Sequence, residues 1–417
     1  MVEEAIGPKV SSTKTVAKSV PLGIEELQGK SLSRIELVDG ELQRVLGGGL
    51  VPGSVVLFGG EPGIGKSTLM LQVALQQNSL KVLYISGEES EEQISMRVSR
   101  LGLMNPDCSV LMETNLEQII YHISELKPQL VIVDSIQTMS TGSLESAPGS
   151  VTQVRECANK IIEYAKQTSI PVFLIGHITK EGHLAGPKVL EHMVDTVLQF
   201  EGDRQHIFRL LRSTKNRFGS TNEMGIYEMT GVGLREVQDP SAVLLHREMG
   251  NLSGVAIASA LEGVRPLMVE VQALTSTAVY GTPQRSTTGF DLRRLNMLLA
   301  VLEKRCGFRL AMKDVFLNIA GGLRIDDPAL DMAVVAAILS SNEDIPLREG
   351  LSFAGEVGLS GEIRPVPRID QRIAEVERLG FKEICVSSYN KGIGELSGRI
   401  KITQVSSVEL LVAALFG

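Results

Sequence analysis

The sequence predicts an α/β region built on a mainly parallel sheet, followed by a second, α+β domain. Three observations carry this. From about Pro21 to Val237, short apolar runs alternate with segments of helical spacing, the pattern of strands joined by crossover helices. A glycine-rich turn stands between the first such run and the first such helix. From about Ser253 to Gly417 the order changes to alternating apolar segments interspersed with helices. The 417 residues are enough for two or three domains. With 43% hydrophobic and 22% charged residues, the chain has the composition of a globular protein and not of a disordered or disulfide-stapled one.

In order, the apolar runs are Val55–Phe58, Val82–Ile85, Leu130–Val133, Val172–Ile175, Val194–Phe200 and Ile207–Leu211. Helical spacing marks Lys66–Gln76, Glu91–Leu101, Leu116–Leu126 and Val151–Thr168. In the last of these, Val154, Ala158, Ile161 and Ala165 share one face. In the second block, Gly254–Leu261 and Leu267–Ala273 alternate, and Leu292–Arg305 and Ile369–Leu379 read as helices. Ala329–Leu339 is almost wholly apolar and is expected to be buried. Ile384–Val386 and Ile400–Val405 read as strands and Ser407–Phe416 as a closing helix. The expected organisation is a flexible lead-in at 1–20, an α/β domain at 21–252 and an α+β domain at 253–417.

Lys and Arg total 41 against 49 Asp and Glu, so any nucleic-acid surface on this chain of charge −8 must be local. Trp is absent and aromatics are 4%, which weakens any reading as an aromatic stacking platform. No run approaches the ~18 apolar residues of a membrane span, and no apolar leader is seen. The expectation is a cytoplasmic protein without a membrane partner. The four cysteines, at 108, 157, 306 and 385, form no CxxC pair, so they read as buried, reduced thiols and not as zinc ligands.

The strongest motif is Gly60-Glu61-Pro62-Gly63-Ile64-Gly65-Lys66-Ser67, continued by Thr68. It matches GxxxxGK[ST], with an apolar strand before it and a helix after it. Glycines let successive amides turn toward phosphate oxygens, and the helix N-terminus adds partial positive charge. Lys66 would reach the β and γ phosphates of ATP, or the β phosphate of ADP, and Ser67 would ligate Mg²⁺. Leu130–Val133 ends in Asp134, a strand-end carboxylate expected to hold the metal through its water shell. Val82–Ile85 ends in Ser86-Gly87-Glu88-Glu89. Glu88 is assigned as the carboxylate that acts on the attacking water; the alternative is that Glu88 or Glu89 caps the helix beginning near Ser90. His177, after Val172–Ile175, is a candidate sensor of the γ-phosphate.

A positive cluster, Arg209, Arg212 and Lys215-Asn216-Arg217-Phe218-Gly219, follows Ile207–Leu211. On a strand-end loop it would meet phosphate, either of a nucleotide in a neighbouring subunit or of DNA. Two long polar connections, Met139–Ser150 and Thr179–Leu190 with Lys180, His183 and Lys188, suit a nucleic-acid channel.

Together, Gly47-Gly48-Gly49-Leu50-Val51-Pro52-Gly53-Ser54, the Gly60–Ser67 loop, Leu130–Asp134 and Lys215–Gly219 resemble the bacterial RadA (Sms) family. The resemblance spans almost the whole chain, and Lys215–Gly219 is its most specific marker. It implies a RecA-like P-loop NTPase core followed by a domain similar to that of Lon protease. It also implies a homohexameric ring on single-stranded and branched DNA, related to the DnaB helicases, that drives branch migration in recombination and repair beside a RecA recombinase. By the same resemblance Lys215 and Arg217 contribute to ATP- and DNA-linked action, and the loops carrying Lys180 and Lys188 line the DNA path. The family usually begins with a four-cysteine zinc ribbon. Met1-Val2-Glu3-Glu4 resembles the short acidic stretch on the C-terminal side of that ribbon, so a shortened or ribbonless chain is expected, without the family's zinc.

Asp326-Asp327-Pro328-Ala329-Leu330-Asp331 resembles the Lon nucleophile loop, with Ala329 in place of the serine. Arg364–Arg372 resembles its lysine region, with Asp370 near the lysine's place. The second domain is therefore expected to join subunits and contact DNA, with Arg285, Arg293, Arg294, Lys304, Arg305 and Arg309 as a basic patch. Two rival readings are an ATP-dependent protease, disfavoured for want of the Ser–Lys pair, and a recombination accessory that uses ATP only as a switch.

Overall fold

The computed structural model describes residues 33–177, 189–202, 207–241, 245, 252–278, 282–322, 324–393 and 400–417. Residues 34–417 cluster as one compact unit. The lead-in at 1–20, Lys180 and Lys188 lie outside the described residues.

The first sheet holds nine strands: β1 (Val55–Gly60), β2 (Val82–Ser86), β3 (Cys108–Met112), β4 (Leu130–Asp134), β5 (Val172–His177), β6 (Thr196–Glu201), β7 (Phe208–Asn216), β8 (Met224–Met229) and β9 (Leu234–Glu236). Its helices are α1 (Gly40–Val45), α2 (Lys66–Gln76), α3 (Glu91–Leu101), α4 (Leu116–Leu126), α5 (Val151–Thr168) and α6 (Val189–Met193). The order is β3-β2-β4-β5-β1-β6-β7-β8-β9. The run from β3 to β6 is parallel, and β7 to β9 continue it antiparallel. Strands β1, β2 and β4 are buried along their whole length, as parallel strands covered on both faces must be. Alternate residues feed two cores. Val56, Phe58, Tyr84 and Ile132 pack with α2 on one face, and Val55, Leu57, Ile85 and Val133 with α4 and α5 on the other.

Two differences from the sequence reading have local causes. Strand β3 has no long apolar run because it is an edge strand, with Cys108, Ser109, Leu111 and Met112 half-buried and Val110 exposed. Strand β7 does not stop at Leu211; antiparallel pairing to β6 carries it through Arg212, Ser213, Thr214 and Lys215 to Asn216, across a register shift at Val197/Leu198. Lys215 thus sits in a strand and not in a loop beyond one. Of the cysteines, Cys157 and Cys385 are buried, while Cys108 and Cys306 are only half-buried.

The second sheet has the order β12-β13-β11-β10-β14-β17-β18. Its strands are β10 (Val255–Glu262), β11 (Arg265–Thr277), β12 (Arg285–Thr288), β13 (Lys313–Ile319), β14 (Leu351–Ala354), β17 (Glu383–Ser387) and β18 (Lys401–Val405), and β15 (Glu356–Val357) pairs with β16 (Ile363–Arg364) as a separate ribbon. Helices α7 (Leu292–Cys306), α8 (Asp331–Glu343), α9 (Ile369–Arg378) and α10 (Val408–Phe416) cover it. Helix α8 is buried from Asp331 to Ser340, as its uniformly apolar sequence predicts. Asp331 is tolerated there because Arg294 from α7 pairs with it.

The two sheets share a core. Phe208, Leu210, Met224, Ile226 and Val237 pack with Leu267, Val269 and α8 residues of the second region. Polar contacts fix the docking: Glu41 in α1, 1% exposed, accepts from the Ile226 amide (2.8 Å) and from Arg265 Nη1 (2.9 Å). Arg212 Nη1 donates to Glu262 (2.7 Å), and the Val264 amide to the Asn222 carbonyl (3.0 Å).

Candidate nucleotide site

The glycine loop leaves the carboxyl end of β1 and enters α2 at Lys66, with Gly65 as its N-cap in the left-handed region (φ +114°) and no side chain capping the helix. The first-turn amides are therefore left to a ligand. Lys66 is 3% exposed. Its Nζ donates to the Gly60 and Glu61 carbonyls (2.8 and 2.9 Å), so the ammonium is held at the rim of the loop. Burial lowers it to about 8, against the opposing charges of Asp134, Glu88 and Glu61.

Asp134, Glu88 and His177 converge on this lysine. Asp134 ends β4, 3% exposed. Its Oδ2 accepts from the Tyr84 hydroxyl (2.6 Å), while Oδ1 is buried without a hydrogen-bond partner among the described residues. An orphaned carboxylate oxygen beside a phosphate loop fits the water shell of Mg²⁺; Asp134 and the Ser67 hydroxyl would hold that ion. Glu88 accepts from Ser135 Oγ and from His177 Nε2 (3.0 Å). Lys66 Nζ lies 3.2 Å from His177 Nδ1. An ammonium only donates, so Nδ1 accepts and Nε2 carries the proton given to Glu88. The His177 and Ser135 hydrogen bonds hold the Glu88 carboxyl down to about 2, against its partial burial. Neither Glu88 nor Glu89 caps α3; Ser90 does, in a capping box with Gln93.

The basic segment is elsewhere. Asn216 stands abreast of Thr196 at the start of β6, while Gly60 stands abreast of Phe200. Four strand residues separate these levels, about 13 Å at ~3.3 Å each. Lys215 and Arg217 therefore lie at the sheet edge opposite the phosphate loop of their own chain. Lys215 Nζ donates to the carbonyls of Glu191, His192 and Val194 (2.8, 3.1 and 2.7 Å), closing the end of α6. Arg217, half exposed, pairs with Asp195 (3.2 Å), whose other oxygen accepts the Val55 amide (3.1 Å). Asn216 Nδ2 donates to the Leu46 carbonyl (3.3 Å), so this motif abuts the segment that precedes Gly47-Gly48-Gly49. The rest of the expected cluster separates from it: Arg209, 5% exposed, donates from Nε to the Ile64 carbonyl under the loop (3.4 Å), and Arg212 is bound by Glu201 and Glu262.

In the second region Ala329 is buried with its amide on Asp327 (3.1 Å). Arg372, fully buried, pairs with the same Asp327 (2.7 Å) and donates to the Ser259 and Pro367 carbonyls; Asp370 lies exposed on the first turn of α9. This loop offers a methyl group and a neutralised guanidinium, not a nucleophile and base. Of the expected basic patch, Arg294 is committed to Asp331 and Arg285 to Asn296 (3.0 Å), whereas Arg293, Lys304, Arg305 and Arg309 are exposed.

The site includes residues that sequence reasoning missed. Tyr84 and Ser135 each hold a reacting-side carboxylate, and Gln72 clasps the Leu234 backbone to α2 from both sides (2.7 and 2.8 Å). The available signals were a hydroxyl in an otherwise apolar run and the residue directly after Asp134; both acquire meaning only once strand order is known.

A glycine loop on the central strand of a mainly parallel sheet, a lysine at its rim, an orphaned carboxylate oxygen on β4 and a second carboxylate on β2 define a RecA-like P-loop ATPase. Residues 30–183 match the family model described as an AAA domain, and residues 269–390 match that of subunit ChlI of Mg-chelatase. Over 381 residues the chain is 51% identical to DNA repair protein RadA of Bacillus subtilis (strain 168), covering 91% of this chain and 83% of that one. Over 416 residues it is 47% identical to DNA repair protein RadA of Halalkalibacterium halodurans, covering 98% and 91%. Among solved structures, a KaiC-like protein of Pyrococcus horikoshii OT3 is similar over 50% of this chain and 100% of its own, at 16% identity and a TM-score of 0.42. The chain belongs to the RadA family.

Proposed function

We propose that this chain is a DNA-dependent ATPase of recombination and repair, working as a ring of subunits that moves branched DNA. Its relatives' name supports DNA repair; the ring and its motion rest on one geometric observation. Lys215–Gly219 lies across the sheet from its own phosphate loop, so a phosphate it meets belongs to a neighbouring subunit or to DNA.

In this reading residues 21–252 are the ATPase core, and residues 253–417 are a proteolytically inactive Lon-like scaffold that joins subunits and contacts DNA. Lys66 and the α2 amides bind the β and γ phosphates. Asp134 and Ser67 hold Mg²⁺, which when bound neutralises charge on the phosphates. Glu88 orients the attacking water, and His177 links it to Lys66, so that loss of the γ-phosphate is felt by both. A hexamer of the DnaB type, single-stranded DNA along the loops with Lys180 and Lys188, branch migration and partnership with a RecA recombinase follow from the family resemblance. Zinc belongs to the family's ribbon; among the described residues no group of three His, Cys, Asp or Glu side chains is placed to hold a metal. No described helix is long and apolar enough to cross a membrane.

Mixing inactive subunits tests the composite site. Lys66→Ala and Lys215→Ala proteins, each without DNA-stimulated turnover alone, should recover part of it when mixed, because a mixed ring contains loops and Lys215 side chains that are both intact. No recovery on mixing would place both residues in one subunit's site and overturn the ring reading. Protease activity on an unfolded protein substrate would favour the rival; the buried Arg372–Asp327 pair opposes it.

A further inference from the structure

The acidic turn at the end of β2 holds more carboxylate than the ATPase reading has used. Ser86 stands abreast of Asp134 in neighbouring strands. The Gly87 amide donates to the Asp134 carbonyl (2.8 Å). Only glycine fits at 87, since a Cβ would lie 2.1 Å from Thr138 Oγ1. Ser86 Oγ then closes the turn, accepting from the Glu89 amide (3.0 Å) and donating to the Glu89 carbonyl (3.2 Å). From this pinned turn the consecutive carboxylates diverge. Glu88 goes to His177 and Ser135. Glu89 is gripped at Oε1 by Arg97 of α3.

What remains is unspent. Glu89 Oε2 is buried without a hydrogen-bond partner among the described residues, and so is Oδ1 of Asp134, a residue only 3% exposed. The two side chains are close enough to interact: after burial, the Asp134 and Glu88 charges raise the Glu89 carboxyl against the pull of Arg97. Tyr84 ties the pair together, with its hydroxyl on Asp134 and its ring environment sensing both Glu89 and Arg97. Two orphaned carboxylate oxygens in one buried cluster are costly unless something positive or hydrogen-donating lies between them.

We infer that Glu89 is a second carboxylate of the magnesium site, holding the ion's water shell together with Asp134 Oδ1, and that Arg97 is the residue that positions it. The inference rests on the ATPase reading and divides the labour of the turn: Glu88 serves the attacking water and Glu89 the ion. Mg²⁺ suits this arrangement because it keeps several waters and is held by one or two carboxylates plus phosphate.

The test is binding, not turnover. A ribose-labelled fluorescent ADP is titrated onto the full chain in EDTA and across a series of Mg²⁺ concentrations. For Glu89→Gln, affinity in EDTA stays at the wild-type level, and the Mg²⁺ concentration giving half of the metal-dependent gain rises about 10-fold or more, the usual cost of losing an outer-shell partner. Glu88→Gln leaves that midpoint in place. Glu89→Asp, which keeps the charge and the turn, shifts it in the same direction by less, and decides the question if the glutamine variant does not fold. An unchanged midpoint in the folded Glu89 variant overturns the inference and leaves the ATPase standing; a wild-type protein that binds no labelled ADP under any condition overturns both.

Discussion

Lys66 sets the pH window of the site. Burial brings its ammonium to about 8, with Asp134, Glu88 and Glu61 opposing the shift. A triphosphate favours the charged form, so nucleotide affinity should be full below this value and should fall as pH rises through it. Equilibrium binding between pH 6 and pH 10 checks this, and a flat profile would contradict it. Glu88, held down to about 2 by His177 and Ser135, is too weak a base to take a proton in the ground state. It is suited to orienting water in a reaction whose loose transition state asks little of a base. Glu88→Gln should keep nucleotide binding and slow hydrolysis by roughly 10²–10⁴-fold; wild-type hydrolysis would remove Glu88 from the role. At this scale Lys66, Ser67, Asp134 and Glu88 were legible because a motif and two strand ends announce them. Tyr84, Ser135 and Arg97 were not, because each meets its partner only through the adjacency of β2, β4 and α3.

The elements of the α/β region were legible wherever both faces are buried, as in β1, β2, β4 and α5, since burial writes itself as an apolar run or stripe. Half-buried β3 and the polar end of β7 escaped because pairing, not burial, makes them strands. Local capping does the rest: Ser90 and Gln93 exchange hydrogen bonds at the start of α3. Ser90→Ala should cost about 1 kcal/mol of stability, read as a lower denaturant midpoint at unchanged slope; no change would mean that α3 is held by its packing alone. Lys215 sits in β7 yet closes α6 through three carbonyls, so its substitution bears on the start of β6 as well as on any phosphate it meets.

As a whole molecule, the chain joins two sheets through one apolar core and the Glu41–Arg265 pair. The sequence placed a change of character near residue 253 but could not show that β7 and β8 lend side chains to the second region, since that depends on which face of an antiparallel strand is left uncovered. Arg265→Ala strands Glu41, 1% exposed, without a full counter-charge. Breaking such a pair costs about 3–5 kcal/mol. Equilibrium unfolding of the wild type should show one cooperative transition, shifted down in the variant; two separate transitions in the wild type would contradict the shared core.

The central claim, that the loop at residues 60–67 cleaves ATP in the service of DNA, meets its most direct test in phosphate release by the purified chain. Wild type and Lys66→Ala would be measured with ATP and Mg²⁺, with and without single-stranded DNA. The account predicts turnover in the wild type that rises when DNA is added and is lost in the variant. Equal turnover in the two proteins, or none in the wild type with or without DNA, would contradict it.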